Sequence, residues 1–376
     1  MVKVVPICLY VPKNPKEFAT NPYDVIPEEE LKQMRKNPDS FIHVILPEGD
    51  GKEKYENAKK ALERMKRECM EKRKDSFYLY KQSNEIWSQR GIIGGFSLKD
   101  YEKGKIKIHE KTREIPLKDR IKHIEKTEAQ TGLVWLTAKS NSGLKRIQDM
   151  TEETEPILDF EKYGWKNQLW EVPKEMEEEL VGIFDTIDIY VADGHHRIEA
   201  AYRNMKNREG DGPWNYLMAY VANDDEVRVL PYNRVVKKIH IPFEQMMNKI
   251  KDNFDVTTGE KPEKHKICMF KGEWYKLVPK EIPDDPVKSL DAAILQENIL
   301  GPVLGIEDPR KNPNIFFVGG RQKWEKYGKE NDLVFSLYPT SVTEVEAVAD
   351  AGRDMPPKST WFDPKLLSGL VVYLFY

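Results

Sequence analysis

The densest chemistry in the sequence is the run Asp193-Gly194-His195-His196-Arg197, an acid, two imidazoles and a guanidinium at the end of the strand-like stretch Thr186 to Ala192. Gly194 permits a tight turn or a positive φ, and the helical spacing of Ile198, Ala200, Ala201 and Met205 predicts a helix starting at this point. Backbone N–H groups at such a helix start, reinforced by its dipole, form an anion site. Arg197 can add bidentate donors and His195 or His196 further ones, so the run reads as a phosphate-holding turn. The competing reading is structural: Asp193 caps the helix and the other side chains make ordinary hydrogen bonds.

Two more runs carry chemistry. His109-Glu110-Lys111-Thr112-Arg113 follows the strand-like Lys105 to Ile108, and a carboxylate at a strand end suits a general base for a substrate hydroxyl. A solvated charge cluster is the alternative. In Asp354-Met355-Pro356-Pro357-Lys358-Ser359-Thr360, two prolines stiffen a loop that presents an ammonium and two hydroxyls, suited to phosphate oxygens or a hydrated magnesium ion. A plain proline-rich surface loop is the alternative. There is no GxxxxGK[ST] loop, and Gly94-Gly95 and Gly319-Gly320 do not follow the dinucleotide pattern. Adjacent histidines in an extended strand point to opposite faces, which disfavours one zinc ion on His195 and His196 with His109.

The elements that must position these runs alternate between strand and helix signals, which predicts an α/β (α+β) protein. Strands are expected at Lys3 to Tyr10, Phe41 to Leu46, Phe77 to Lys81, Ile92 to Leu98 and Leu133 to Ala138. An amphipathic helix is expected over Glu53 to Lys72, where Tyr55, Ala58, Leu62, Met65 and Cys69 share one face. Thr151 to Glu179 is acidic and broken by Pro156, Gly164 and Pro173, and reads as a long connection with a short helix. The 376 residues suggest two or three domains. Sixty Lys and Arg against sixty-three Asp and Glu leave a net charge of -3, so no global field draws nucleic acid or an anionic membrane. The apolar stretches are far shorter than a bilayer span, and Cys8, Cys69 and Cys268 form no CxxC pair. A cytoplasmic protein with reduced thiols is expected, with no nucleic-acid or membrane partner and an oligomeric state that composition leaves open.

The Asp193 to Arg197 turn, His109-Glu110 and Pro357-Lys358-Ser359-Thr360 resemble the free-serine kinases of the ParB/sulfiredoxin-like superfamily in order and context. Asn21-Pro22-Tyr23-Asp24-Val25, His109-Glu110-Lys111-Thr112, the run Leu230 to Val236 and the stretch Ala349 to Leu370 further resemble the longer DUF1015 branch. That resemblance implies a kinase that transfers a phosphoryl group from inorganic pyrophosphate to free L-serine, with Mg2+, giving O-phospho-L-serine for serine/cysteine metabolism. It implies Glu110 as the base, with Asp193 holding magnesium or orienting the serine hydroxyl. Gly194, His195, His196 and Arg197 would hold the donor, and Lys358, Ser359 and Thr360 a second phosphate contact. His109, Thr112, Asn233 and Arg234 fall on the substrate side, although many members of this branch carry histidine where this chain has Asn233. ADP or ATP as donor is the alternative within the same chemistry. A nucleotide-responsive ParB-like DNA-binding or regulatory module is the alternative outside it, opposed by the net charge and by the lack of a basic helix-turn-helix pattern. The expected organisation is an N-terminal α/β domain over 1–104, a ParB/sulfiredoxin-like core over 105–240, and a C-terminal part over 241–376 that returns the Lys358 loop to the active site.

Overall fold

Alternating strand and helix signals resolve, in the computed structural model, into a mixed α/β fold described over residues 2–320, 322 and 332–376. In chain order, the strands that build the larger sheet are β1 (Val4–Val5), β2 (Tyr78–Ser83), β3 (Ser88–Ser97), β4 (Ile106–Lys107), β5 (Val134–Ala138), β6 (Leu158–Lys162), β7 (Trp165–Glu171), β8 (Ile189–Asp193) and β9 (Tyr216–Asn223). Their spatial order is β4-β8-β5-β9-β3-β2-β7-β6, with β1 also pairing β3. The β4–β8 and β5–β9 pairs are parallel and the other pairs antiparallel. Central strands of such a sheet are covered on both faces and read as continuous apolar runs. In β9 every residue from Leu217 to Asn223 is buried.

The helices bury single apolar stripes. In α1 (Glu53–Glu68), Tyr55, Ala58, Leu62 and Met65 are buried while the charged residues face out, as the periodicity predicts. Helix α2 (Glu114–Thr127) buries Leu117 and Ile124, and α3 (His195–Lys206) buries Ile198, Ala200, Ala201 and Met205.

The chain divides into two compact units, Met1–Val227 together with Pro364–Tyr376, and Arg228–Asp363. The expected boundary at residue 104 does not appear as one, because β3 hydrogen-bonds to β9, from Tyr216 against Ser97 to Val221 against Ile92, so both sides of that boundary share one sheet. The expected boundary at 240 is likewise replaced by one at Arg228, ahead of the second unit's first sheet strand. This unit holds a six-stranded antiparallel sheet of β10 (Tyr232–Val236), β11 (Phe254–Thr258), β12 (Ile267–Lys271), β13 (Glu273–Pro279), β14 (Ile315–Gly319) and β15 (Leu333–Ser336), in the order β11-β13-β12-β15-β10-β14. Its core joins Met246 and Ile250, from the helix Phe243–Asn253, to Met269, Leu277 and Phe335.

Two local expectations fail for identifiable reasons. Phe41 to Leu46 is not a strand: Ile42–Ile45 is a helical turn with Ile42, Val44 and Ile45 buried, and a short apolar run enclosed on all sides has no period to tell the two apart. The presumed connection from Thr151 to Glu179 instead contains the β6–β7 hairpin, turned at Tyr163 and Gly164, both at positive φ.

The glycines of β3 serve close packing. A Cβ on Gly91 would lie 2.5 Å from the Tyr220 ring and 2.6 Å from the backbone oxygen of Val221, and one on Gly94 would lie 2.7 Å from the Phe77 ring. A ring can tilt, but the Val221 carbonyl belongs to the central pairing of the sheet. Gly91→Ala is therefore expected to destabilise the protein by about 2 kcal/mol through overpacking. Urea denaturation checks this, and a midpoint equal to wild type would mean that the strands separate at no cost.

Candidate active site

Strand β8 sits between β4 and β5 and delivers Asp193 to the sheet edge where α3 begins. Gly194 lies between them at φ +103, a conformation that L side chains rarely adopt, and a Cβ there would stand 2.9 Å from Nε of Arg197. Its carbonyl accepts from the amides of Arg197 and Ile198, at 2.8 and 3.0 Å. No side chain caps α3. The capping alternative for Asp193 thus falls away, because its carboxylate is engaged elsewhere.

That engagement comes from a residue the sequence reading passed over. Lys365, in the C-terminal segment of the first unit, places Nζ 2.9 Å from Oδ2 of Asp193, and Arg197 approaches Oδ1 at 4.0 Å. Burial works to raise the Asp193 pKa, but the Lys365 ammonium, followed by Arg197, outweighs it and holds the carboxyl well below the usual carboxylate range. So poor a proton acceptor does not suit general-base catalysis near neutral pH. Nor do its oxygens, facing two cations, fit the magnesium ligand expected of Asp193. Among the described residues, no group of three or more His, Cys, Asp or Glu side chains is placed to hold a metal ion.

The two histidines act on the loop between β4 and α2. The His109 amide points at Nε2 of His195 over 3.5 Å, and their rings meet edge to face with centroids 4.4 Å apart. The Arg113 amide donates to Nε2 of His196 at 2.9 Å. An imidazole nitrogen that accepts carries no proton, so these contacts require the neutral rings. His195, 6% exposed, thus sets its Nε2 against this loop as a positioning contact, and the tautomer that accepts there carries its proton on Nδ1. The two contacts bring His109, Glu110 and Thr112 beside the Asp193 to Arg197 turn. His109 is buried, and Glu110 and Thr112 are half-buried.

The other sequence candidates lie in the second unit. Lys358 is exposed at φ +58, with Nζ 5.5 Å from the Tyr232 ring centroid. Buried Ser359 uses its hydroxyl within the loop, donating to the Pro356 carbonyl at 2.6 Å, and Thr360 is half-buried. Asn233 accepts the Leu337 amide through Oδ1 at 3.2 Å. Arg234 is buried and donates to the Tyr232 and Lys358 carbonyls, the latter at 3.2 Å. Burial pushes its pKa down to about 10. Arg234 thus braces the loop that carries Lys358, while Asn233 holds the chain just after β15.

Burial, followed by His109, pushes His195 well below its ordinary pKa, and burial, followed by Arg120, lowers His123 to about 4. Both rings protonate more readily unfolded than folded. Their contribution is complete above about pH 6.5 and is lost as the pH falls towards the folded values, at about 1.4 kcal/mol per pH unit for each ring. Asp291 of the second unit, raised to about 6 chiefly by burial, acts in the opposite sense. The informative readout is therefore the difference between variants. Denaturation midpoints from about pH 7.5 to about pH 5 should fall less steeply for His123→Gln than for wild type. Parallel pH profiles would remove this ring from the account.

No curated protein matches the chain. Among solved structures, it is similar to a C-terminally truncated SbnI from Staphylococcus aureus, at 14% identity and TM-score 0.40 over 73% of this chain and 85% of that one. A mutant free serine kinase in complex with ADP aligns at 15% identity and TM-score 0.37 over 72% and 87%. A conserved hypothetical protein from Pyrococcus furiosus aligns at 16% and 0.36 over 73% and 92%. The profile of DUF1015, described as a protein of unknown function, matches residues 7–293, and the chain therefore belongs to the DUF1015 family.

Proposed function

We propose that the first unit transfers a phosphoryl group to the hydroxyl of free L-serine, with inorganic pyrophosphate as donor. The observation that carries this reading is the division of labour between two carboxylates. Lys365 keeps Asp193 ionised and too weak a base, while the two histidines dock the loop bearing Glu110 beside the same turn. Glu110 is then the group to accept the serine proton. The uncapped amides at the start of α3 suit a phosphate, and phosphoryl transfer asks mainly for positioning and for neutralised charge on the transferred oxygens. The choice of pyrophosphate rests on the family resemblance, and a donor without a base agrees with the absence of a Walker or dinucleotide loop from the sequence.

Purified protein incubated with L-serine, MgCl2 and one of pyrophosphate, ADP or ATP is expected to form O-phosphoserine fastest with pyrophosphate. A preference for either nucleotide would replace the donor, and no phosphoserine with any of the three would reject the reaction.

Glu110→Gln preserves shape and hydrogen bonding but cannot take a proton. Its kcat should fall about 100-fold while calorimetric affinities for serine and donor survive. A wild-type kcat in the folded variant would exclude Glu110 as the base.

A further inference from the structure

A cavity in the first unit opens beside the Asp193 to Arg197 turn, and no sequence motif pointed to it. Tyr23, Arg120, His123, Gly132, Arg197 and Ser368 line it. Charge is unevenly matched there. Arg120 is engaged by Asp119, Nε to Oδ2 at 3.0 Å, and stacks over the Tyr23 ring at 4.4 Å. Asp193 is engaged by Lys365 at 2.9 Å. Among the described residues, the guanidinium of Arg197 has only the 4.0 Å approach to Asp193, longer than a hydrogen bond, so its charge is surplus and its donors are available. Gly132 lies against the same guanidinium and the Ser368 hydroxyl, since a Cβ there would stand 3.4 Å from Nη1 of Arg197 and 3.6 Å from Oγ of Ser368.

The remaining lining narrows the ligand. Tyr23 makes no hydrogen bond through its hydroxyl to the described residues, and burial, followed by Asp24, raises its pKa, which leaves it a neutral donor. Ser368 contributes a second hydroxyl and is 4% exposed. Ile124 and Leu217 supply apolar wall. One guanidinium without a close partner, set among neutral hydroxyls and apolar wall, suits a small, singly charged planar group. A planar guanidinium fork matches a carboxylate through two parallel hydrogen bonds.

We propose that this cavity is the carboxylate subsite for the amino-acid acceptor, with Arg197 as its fork and the Tyr23 and Ser368 hydroxyls as neutral donors. The inference rests on the reading of this unit as acting on a free amino acid, and it moves Arg197 from the donor to the acceptor. Serine and serinamide share the reacting hydroxyl and differ in the group that Arg197 would hold.

Calorimetric titration of the full chain with L-serine, L-serinamide and pyrophosphate tests it, with phosphorylated product followed in parallel samples. Wild type should bind serine at least about tenfold more tightly than serinamide, the scale of one hydrogen bond to a charged group. Arg197→Lys should erase that preference and leave pyrophosphate affinity unchanged, and the isosteric Tyr23→Phe should weaken serine alone by about threefold or more. Equal affinity for serine and serinamide, or a loss confined to pyrophosphate in Arg197→Lys, would overturn the subsite, as would an absence of serine binding to wild type. The two proposals separate cleanly. Serinamide phosphorylated as well as serine removes the subsite and keeps the kinase, whereas carboxylate-dependent binding without any product keeps the subsite and removes the kinase.

Discussion

Two imidazole nitrogens at the start of α3 tie together segments that lie 83 and 86 residues apart in sequence. Each accepts a backbone amide from the loop after β4, and the arrangement holds only while both rings are neutral. Burial enforces that state at His195 by making the charged form costly. In a strand, neighbouring histidines would point to opposite faces, but in the first turn of a helix they are separated by about 100°. Both can therefore reach one loop, at His109 and at Arg113. The position of Glu110 follows from these contacts and not from any local preference of its own segment.

Charge placement around Asp193 separates two carboxylates that residue type alone makes equivalent. A cation at 2.9 Å fixes Asp193 as an anion, and burial sharpens the interaction by removing competing water. The cation arrives from Pro364–Tyr376, which returns to the first unit after the second has been completed. Lys365 also leaves Arg197 with charge to spare, so one lysine decides both the chemistry of the acid and the availability of the neighbouring guanidinium. The buried Arg234 of the second unit is handled differently. Backbone carbonyls and the Phe317 ring, 5.4 Å away, receive it in place of a carboxylate, and its pKa falls accordingly.

The sheet makes this precision possible. Strand β8 is held by neighbours on both sides, and close packing of β3 against β9 through small residues leaves little freedom for the strand ends to drift. A site built at the ends of such strands inherits that rigidity, while Gly194 provides the one sharp change of direction that turns a strand into a helix within a single residue.

Much of this was legible in the amino-acid sequence. The α1 stripe, the β8 strand, the positive φ at Gly194 and the start of α3 follow from local rules, since periodicity and the missing Cβ act within a few residues. The same rules identify Asp193, His195, His196 and Glu110 as chemically loaded, but not what each does. The contact of His195 with the loop after β4, the pairing of Asp193 with Lys365, and the cavity that joins Tyr23, Arg120 and Ser368 to Arg197 depend on contacts between segments separated by tens to hundreds of residues. Nothing in the immediate sequence around Lys365 marks it, whereas the prolines and hydroxyls around Lys358 draw a phosphate reading. Burial and pairing decide a carboxylate's basicity and a cation's availability, and both are properties of the packed chain, so residue types declared the chemistry and the tertiary structure assigned the roles.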